Sequence, residues 1–524
     1  MQAASPVWSL ALKTASPLWQ KLDAYQRNVV KQALEMKTLG VFLEQGTGKT
    51  WVTGGVIEQL MDDEFEALIV VPLANIESTW LTFLRKELPS LNVARSVDEY
   101  AGMARPRVIL LHYEAVPPHI KKLRKLVRFT LIVYDESQRL KNRQSIASRT
   151  AMKFHDSAFF KLALSGTPMD EQPQELWAQF RFLNNEVFGT RWADFEEHFL
   201  VPLDEDEIYR KTGVRLSEVR KGSFRWKKAL RYIQIAKRKR PFDDAKMPEF
   251  LDRIKRYTVH VRADDVLDLP PLELIPSPVT LRGRQRAIYE ALEYDAVAET
   301  INTTAALKVT KIGKLQQVCG GYVIDDEGEV HEVGRAKIRR VISIVRDHTN
   351  QIVSRHPIVI FARYREEVSA LIRELILHTP RVASITGTTK KQDRPKIVQA
   401  FQNGKFDVLV CQIRTGGVGI DLFRADTGIM FSPTHSWIDF GQAIKRLHRR
   451  GQTKPVRFYL VYAEGTIDAE IYAALQAKDK VTSRVLNHLK RKEQTWQRRQ
   501  RPQQPSTMWP VLRRTSTSRR RPSA

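Results

Sequence analysis

The chain has 524 residues, more than one ordinary hydrophobic core holds, so about two to four domains are expected. Apolar residues make up 42% and charged residues 27%, an ordinary globular balance. Lys and Arg number 85 against 59 Asp and Glu, a net charge of +26, which points to a polyanionic partner; nucleic acid is the usual one, and a merely solvated basic surface is the alternative. Two cysteines, Cys319 and Cys411, exclude a disulfide framework and a zinc cluster, so a reducing, cytoplasmic setting is the default. No charged-then-apolar leader and no run of about 18 apolar residues is present, so neither export nor membrane crossing is expected.

Residues 1–20 read as an N-terminal extension. Residues 21–185 alternate amphipathic stretches with short, wholly apolar runs: Leu39–Leu43, Ala67–Val71, Val108–Leu111, Leu131–Tyr134 and Leu162–Leu164. Such runs, each followed by polar or turn residues, are how strands of a parallel sheet covered on both faces read. Before the first run stands Tyr25-Gln26, where the Gln26 amide could meet two edge positions of an adenine; a plain surface glutamine is the rival reading. After the run comes Glu44-Gln45-Gly46-Thr47-Gly48-Lys49-Thr50, opening a helical stretch. Its glycines allow backbone N–H groups to approach phosphates at a helix N-terminus. Lys49 would reach the β- and γ-phosphates, and the Thr50 hydroxyl would hold Mg²⁺. The strict phosphate-loop pattern fails at one place, where Leu43 occupies the position of the first glycine.

The fourth run ends in two acids, Asp135-Glu136. Beside the loop, Asp135 would hold Mg²⁺ through water, and Glu136 would orient and deprotonate an attacking water. The fifth runs into Ser165-Gly166-Thr167-Pro168, whose hydroxyls could sense a terminal phosphate. Residues 186–335 lose the strand rhythm and read as a helical insert and connector. Between Arg215 and Arg240 there are eleven basic residues and one acid, with Phe224, Trp226 and Tyr232 interleaved. A basic helical insert and a solvated helix face are equally open readings. Pro270-Pro271, Pro276 and Pro278 mark an extended connector.

Residues 336–489 resume the rhythm with strand-like runs at Ile358–Phe361, Val382–Ile385, Val408–Cys411, Ile429–Phe431 and Phe458–Val461. Arg414-Thr415-Gly416-Gly417-Val418-Gly419-Ile420-Asp421 suits close approach to a phosphate, with Gly419 and Asp421 the candidate contacts. In the stretch from Gln442 to Gln452, helical spacing places Gln442, Arg446 and Arg449 on one face. Two guanidiniums there fit a transferring phosphoryl group, and a helix gripping nucleic-acid phosphates is the rival reading. From 490 onward the chain carries eleven Lys/Arg and one Glu among Gln, Pro and Ser, and reads as a disordered basic tail.

Together these motifs resemble the SWI/SNF-type (switch/sucrose-nonfermenting) helicase-like ATPases of helicase superfamily two, over about Lys21 to Leu489. Arg139-Leu140-Lys141-Asn142, Glu175-Leu176-Trp177, Phe195–Phe199, Asp264-Asp265-Val266, Gly416–Asp421 and His448–Val456 carry the likeness. Three places depart from the usual family pattern. Ser137-Gln138 stands where Ala-His is usual, Lys445 where an Asp is, and Arg450 where an aliphatic residue is. The resemblance implies an α/β fold of two RecA-like P-loop lobes, with the insert between them. It implies ATP and Mg²⁺ as cofactors and double-stranded DNA as partner, with RNA left open. It implies that Pro72–Asn75, Tyr113-Glu114, Phe361–Arg363 and Thr386–Thr388 track the nucleic-acid backbone. In its leanness the chain resembles phage or bacterial members.

The expected activity is ATP-driven translocation along duplex DNA. A strand-separating helicase is the alternative, and a DNA-binding scaffold with a vestigial ATPase is a further rival, one that would have lost Lys49, Glu136 or the arginines.

Overall fold

The computed structural model describes residues 12–126, 128–215, 219–220, 222–227, 230, 233, 240–298, 305–325, 327–349, 357–390, 392–413 and 420–488. The basic tail, Arg414–Gly419 and most of the basic block between Arg215 and Arg240 lie outside the described residues. The chain divides into two compact units whose main changeover lies between Val261 and Arg262, with Gln45–Thr47 counted in the second and the end of the last helix, from Val481, in the first.

The first unit is built on strands β1 (Thr38–Leu43), β2 (Glu66–Val71), β3 (Asn92–Ala94), β4 (Arg107–His112), β5 (Phe129–Asp135), β6 (Ala158–Leu164) and β7 (Thr258–Val261). They lie in the order β3-β4-β2-β5-β6-β1-β7, and every pair is parallel. Burial explains the unbroken apolar runs, since every residue of β2 and β5 is buried. The helix Lys49–Leu60 is buried from Val52 to Leu60. Its Glu58 accepts the backbone N–H groups of Leu18 and Trp19, each at 3.0 Å, so the end of the expected N-terminal extension is part of this unit.

After β6 come the helices Trp177–Leu183, Trp192–Phe199, Glu205–Thr212 and Met247–Lys255. Phe180, Phe188, Phe195, Phe199, Phe242 and Phe250 make an aromatic core among them. Phe188 stacks on Phe250 at 4.9 Å.

The second unit is built on β8 (Leu272–Val279), a hairpin of β9 (Tyr322–Ile324) and β10 (Val330–Glu332), and then β11 (Ile358–Ala362), β12 (Val382–Ile385), β13 (Val408–Gln412), β14 (Thr427–Met430) and β15 (Val456–Ala463). Six of these form an all-parallel sheet in the order β12-β13-β11-β14-β15-β8.

The stretch 186–335 therefore gives a strand to each sheet, β7 to the first and β8 to the second. Of the prolines expected to mark a connector, Pro270-Pro271 precede β8, while Pro276 and Pro278 lie inside it, opposite Leu460 and Tyr462. An edge strand allows this. Residues two apart present their nitrogens to the same side, and the side away from β15 needs no donor. Cys411 packs in β13 as its apolar run suggested, and Cys319 is buried too.

Lys337 and Asp468 form an ion pair at 2.8 Å in the second unit, with side chains 0% and 1% exposed. Removing one member strands a buried charge, at a cost of about 3–5 kcal/mol. Lys337→Ala is therefore expected to lower stability by about that much in urea unfolding. A double replacement, Lys337→Met with Asp468→Leu, should recover most of the loss. A single variant as stable as the parent would contradict this assignment.

Candidate functional site

In the first unit, strand pairing decides which loops meet. Asp135 of β5 lies opposite Leu164 of β6, and Leu164 lies opposite Val41 of β1. The loops that leave β5, β6 and β1 therefore emerge side by side at one edge of the sheet, where loops of parallel sheets converge on a ligand. These are the three motif-bearing loops that the sequence placed far apart along the chain.

The loop after β1 turns through Gly46 and Gly48, at φ +84° and +83°. Gly48 caps the helix Lys49–Leu60. A Cβ at Gly48 would be strained by that φ and would collide with the Gln26 amide nitrogen. Gln26 is buried against the loop, and its Oε1 accepts the Asp23 N–H at 2.9 Å in a capping box. The Gln26 amide nitrogen therefore lies close beside the loop at Gly48. Lys49 Nζ donates to the Leu43 carbonyl at 3.1 Å. Thr47 is fully buried, while Glu44, Gln45, Lys49 and Thr50 are half-buried.

Asp135 is held on all sides. Its Oδ2 accepts Trp80 Nε1–H at 2.9 Å, its Oδ1 accepts the Glu136 N–H at 3.0 Å, and its carbonyl accepts Tyr113 O–H at 2.7 Å. Burial, and after it the charge of Glu136, pushes its carboxyl above the usual carboxylate range, while the Trp80 hydrogen bond and Lys49 pull it back. The Asp135 carboxyl and the Thr50 hydroxyl at the helix start are oxygen donors of the kind a small hard dication takes. Among the described residues no three acidic, His or Cys side chains gather into a cage.

Glu136 sits at φ +53°, a left-handed conformation uncommon for a non-glycine residue and of a kind that clusters at working sites. Gln138 Nε2 donates to Glu136 Oε2 at 2.5 Å, and Gln138 Oε1 accepts Ser165 O–H at 2.6 Å. A second amide, Gln179, accepts Ser137 O–H at 2.8 Å and donates to the Pro168 carbonyl at 2.7 Å. The acid loop and the serine loop are therefore tied twice. Ser137-Gln138, a departure from the family pattern, supplies a link from each of its residues.

In the second unit the helix expected around Gln442 spans Trp437–Leu447. Gln442 and Arg446 lie on it, four residues apart, but Arg449 does not, which corrects the one-face reading. The helix ends as His448 leaves helical conformation, and Gln452 Nε2 folds back towards its last carbonyl, Leu447 O at 3.4 Å, while donating to Phe423 O at 2.9 Å and Ala425 O at 2.8 Å before the helix. His448 Nε2 lies 2.7 Å from the Pro270 carbonyl. Arg449 is set by the following turn and pairs with Asp421. Arg446 is buried and donates to the Ile420 carbonyl at 3.2 Å. The two arginines thus grip consecutive residues after the glycine loop, while Gly419 itself lies outside the described residues.

Reasoning from sequence missed Trp80, Gln138 and Gln179. Trp80 offered one signal: a fully buried indole needs an acceptor, and a strand-end acid is a natural one. Tyr113, assigned to the nucleic-acid track, is buried with its hydroxyl on the acid pair.

Two family models match the chain: the SNF2-related domain over residues 25–324 and the helicase conserved C-terminal domain over residues 336–451. The chain belongs to the SNF2-related family. Its similar relatives include the uncharacterized ATP-dependent helicase MG018 of Mycoplasma genitalium, 23% identical over 89% of this chain and 42% of that protein. Another is the ATP-dependent DNA helicase DDM1 of Arabidopsis thaliana, 24% identical over 89% of this chain and 62% of that one. The chain spans 43%, 37% and 42% of the first three curated relatives, well under their full length. Among solved structures, the Sulfolobus solfataricus SWI2/SNF2 ATPase core in complex with dsDNA aligns at 22% identity and a TM-score of 0.38, over 88% of this chain and 92% of that one.

The Gln138 amide makes a sharp test of the site. Gln138→Ala frees Glu136 from Ser165 without touching the phosphate loop. Nucleotide affinity should change less than about twofold, while turnover falls by about 10²-fold, the cost of misplacing a reacting group by about 1 Å. A nucleotide titration beside a phosphate-release assay measures both. Unchanged turnover would show that the Glu136 link is incidental.

Proposed function

We propose that the chain is an ATP-driven motor that moves along double-stranded DNA. The observation that carries this reading is the pairing of β5, β6 and β1, which sets the glycine loop, the acid pair and the serine loop side by side in a chain of the SNF2-related family. The names of its relatives, ATP-dependent helicase and ATP-dependent DNA helicase, support the same nucleotide and partner.

In this reading the backbone of Glu44–Gly48 cradles the phosphates of ATP, and Lys49 meets the β- and γ-phosphates. Thr50 and Asp135 hold Mg²⁺, which supplies charge neutralisation at the phosphates when bound. Glu136 orients the attacking water and takes its proton, held for that task by Gln138. Arg446 and Arg449 stabilise charge on the transferring phosphoryl, with Gln442, Gly419 and Asp421 as their neighbours at the nucleotide. Gln26 meets two edge positions of the adenine through its amide. The place of action is the compartment that holds the DNA.

The backbone is the natural thing for such a motor to grip, because the net charge of +26 favours phosphates and phosphate contacts are blind to sequence. Strands need not part for a motor to move by phosphate contacts alone. Two substrates under one set of conditions decide this. The expected result is ATP-dependent displacement of a third strand laid along a duplex, with a forked duplex left closed and ATPase activity stimulated best by duplex. Efficient opening of the fork, with better stimulation by single strands, would overturn translocation in favour of a strand-separating helicase.

A further inference from the structure

β12, β13 and β11 are neighbours in the second sheet, in that order. The segments that follow β11 and β12 carry Arg363 and Thr386–Thr388, the residues that the DNA reading assigns to the phosphate backbone. Each segment is braced within itself. The N–H groups of Arg363 and Tyr364 donate to Glu367 Oε2 at 3.0 and 3.1 Å, and the fully buried Glu367 also accepts Ser432 O–H at 2.5 Å. Thr386 N–H donates to Thr389 Oγ1 at 3.0 Å, and Arg394 Nε donates to the Thr389 carbonyl at 3.1 Å.

One side chain joins the two segments. Gln412, the last residue of β13, accepts the Gly387 N–H on Oε1 at 3.0 Å and donates from Nε2 to the Arg363 carbonyl at 3.2 Å. A primary amide of this length supplies an acceptor on one side and a donor on the other with no charge. Gly387 adds an independent hint. Its backbone has no positive φ, and a Cβ there would make only an ordinary 3.5 Å contact with Gln412 Oε1. Nothing within the described chain requires glycine at this exposed position, whereas close approach by a phosphate does.

We infer that Gln412 is a positioning residue that fixes the spacing between Arg363 and Thr386–Thr388, so that both segments meet the phosphates of one DNA strand together. The inference rests on the DNA reading. Gln412 acts through the two loops that its amide joins. Losing it leaves each segment intact but unregistered with the other.

The test uses the full chain and a fluorescent duplex, with Gln412→Met, which keeps the bulk and removes both hydrogen bonds, and Gln412→Asn, which keeps the amide but falls one methylene short. Both should weaken duplex binding by about tenfold, as expected for lost charge-assisted contacts. Both should flatten the slope of log affinity against log salt by about one contact's worth, roughly 0.9. The ATP concentration for half-maximal turnover at saturating duplex should move less than about twofold, a split that general loosening of the unit would not give. Parent-like DNA binding in Gln412→Met overturns the inference, as does a parallel loss of ATP and DNA affinity with a lowered melting temperature. A parent chain that binds no duplex overturns the inference together with the DNA reading, and is told apart by failing before any variant is made.

Discussion

The chemistry proposed for the first unit depends on the register of three strands. Asp135 opposite Leu164, and Leu164 opposite Val41, bring loops at residues 44, 136 and 165 to one place. A slip of one residue would turn every side chain of a strand to the other face. It would also carry Asp135 away from Trp80, so the buried, mostly apolar β2, β5 and β6 serve the site as much as the core. Parallel pairing adds the other half of the constraint. All strands run the same way, so each motif emerges at the same edge, and residues distant in sequence need no long loops to meet.

In each unit, taken by itself, glutamine recurs as the cross-link. Gln138 ties the acid loop to the serine loop, Gln179 ties it again, Gln412 spans two strand ends, and Gln452 closes the arginine helix. A carboxamide offers a donor and an acceptor in one rigid group and carries no charge. Near bound phosphates this has a physical advantage. A carboxylate would repel the ligand, an ammonium would compete with Lys49 for it, and a histidine would titrate near neutral pH. The amides hold the loops and leave the local field to the residues that face phosphate.

Much of this was legible in the sequence because buried parallel strands and glycine loops leave local marks. The apolar runs ended within a residue or two of β1, β2, β4, β5, β6 and β11 to β15. β7 and β8 escaped notice because edge strands carry weaker signals, and β8 is marked by prolines that look like a connector. The position of Arg449 escaped for a different reason. Spacing alone extends a helix until something stops it, and here the backbone leaves helical conformation at His448, with the Gln452 side chain folded back on Leu447. Long-range amide contacts such as Gln138 to Ser165 have no local pattern, since their partners are set by which strands pair.

The central claim is that the loop and the acid pair form one nucleotide site with divided labour. Equilibrium titration of ATP against the parent, Lys49→Ala and Glu136→Gln, read beside phosphate release, addresses it most directly. The account predicts that neither variant turns over. Lys49→Ala should bind ATP weakly, since its ammonium meets the phosphates, and Glu136→Gln should bind ATP as the parent does and keep it uncleaved. Full turnover in either variant would contradict the account.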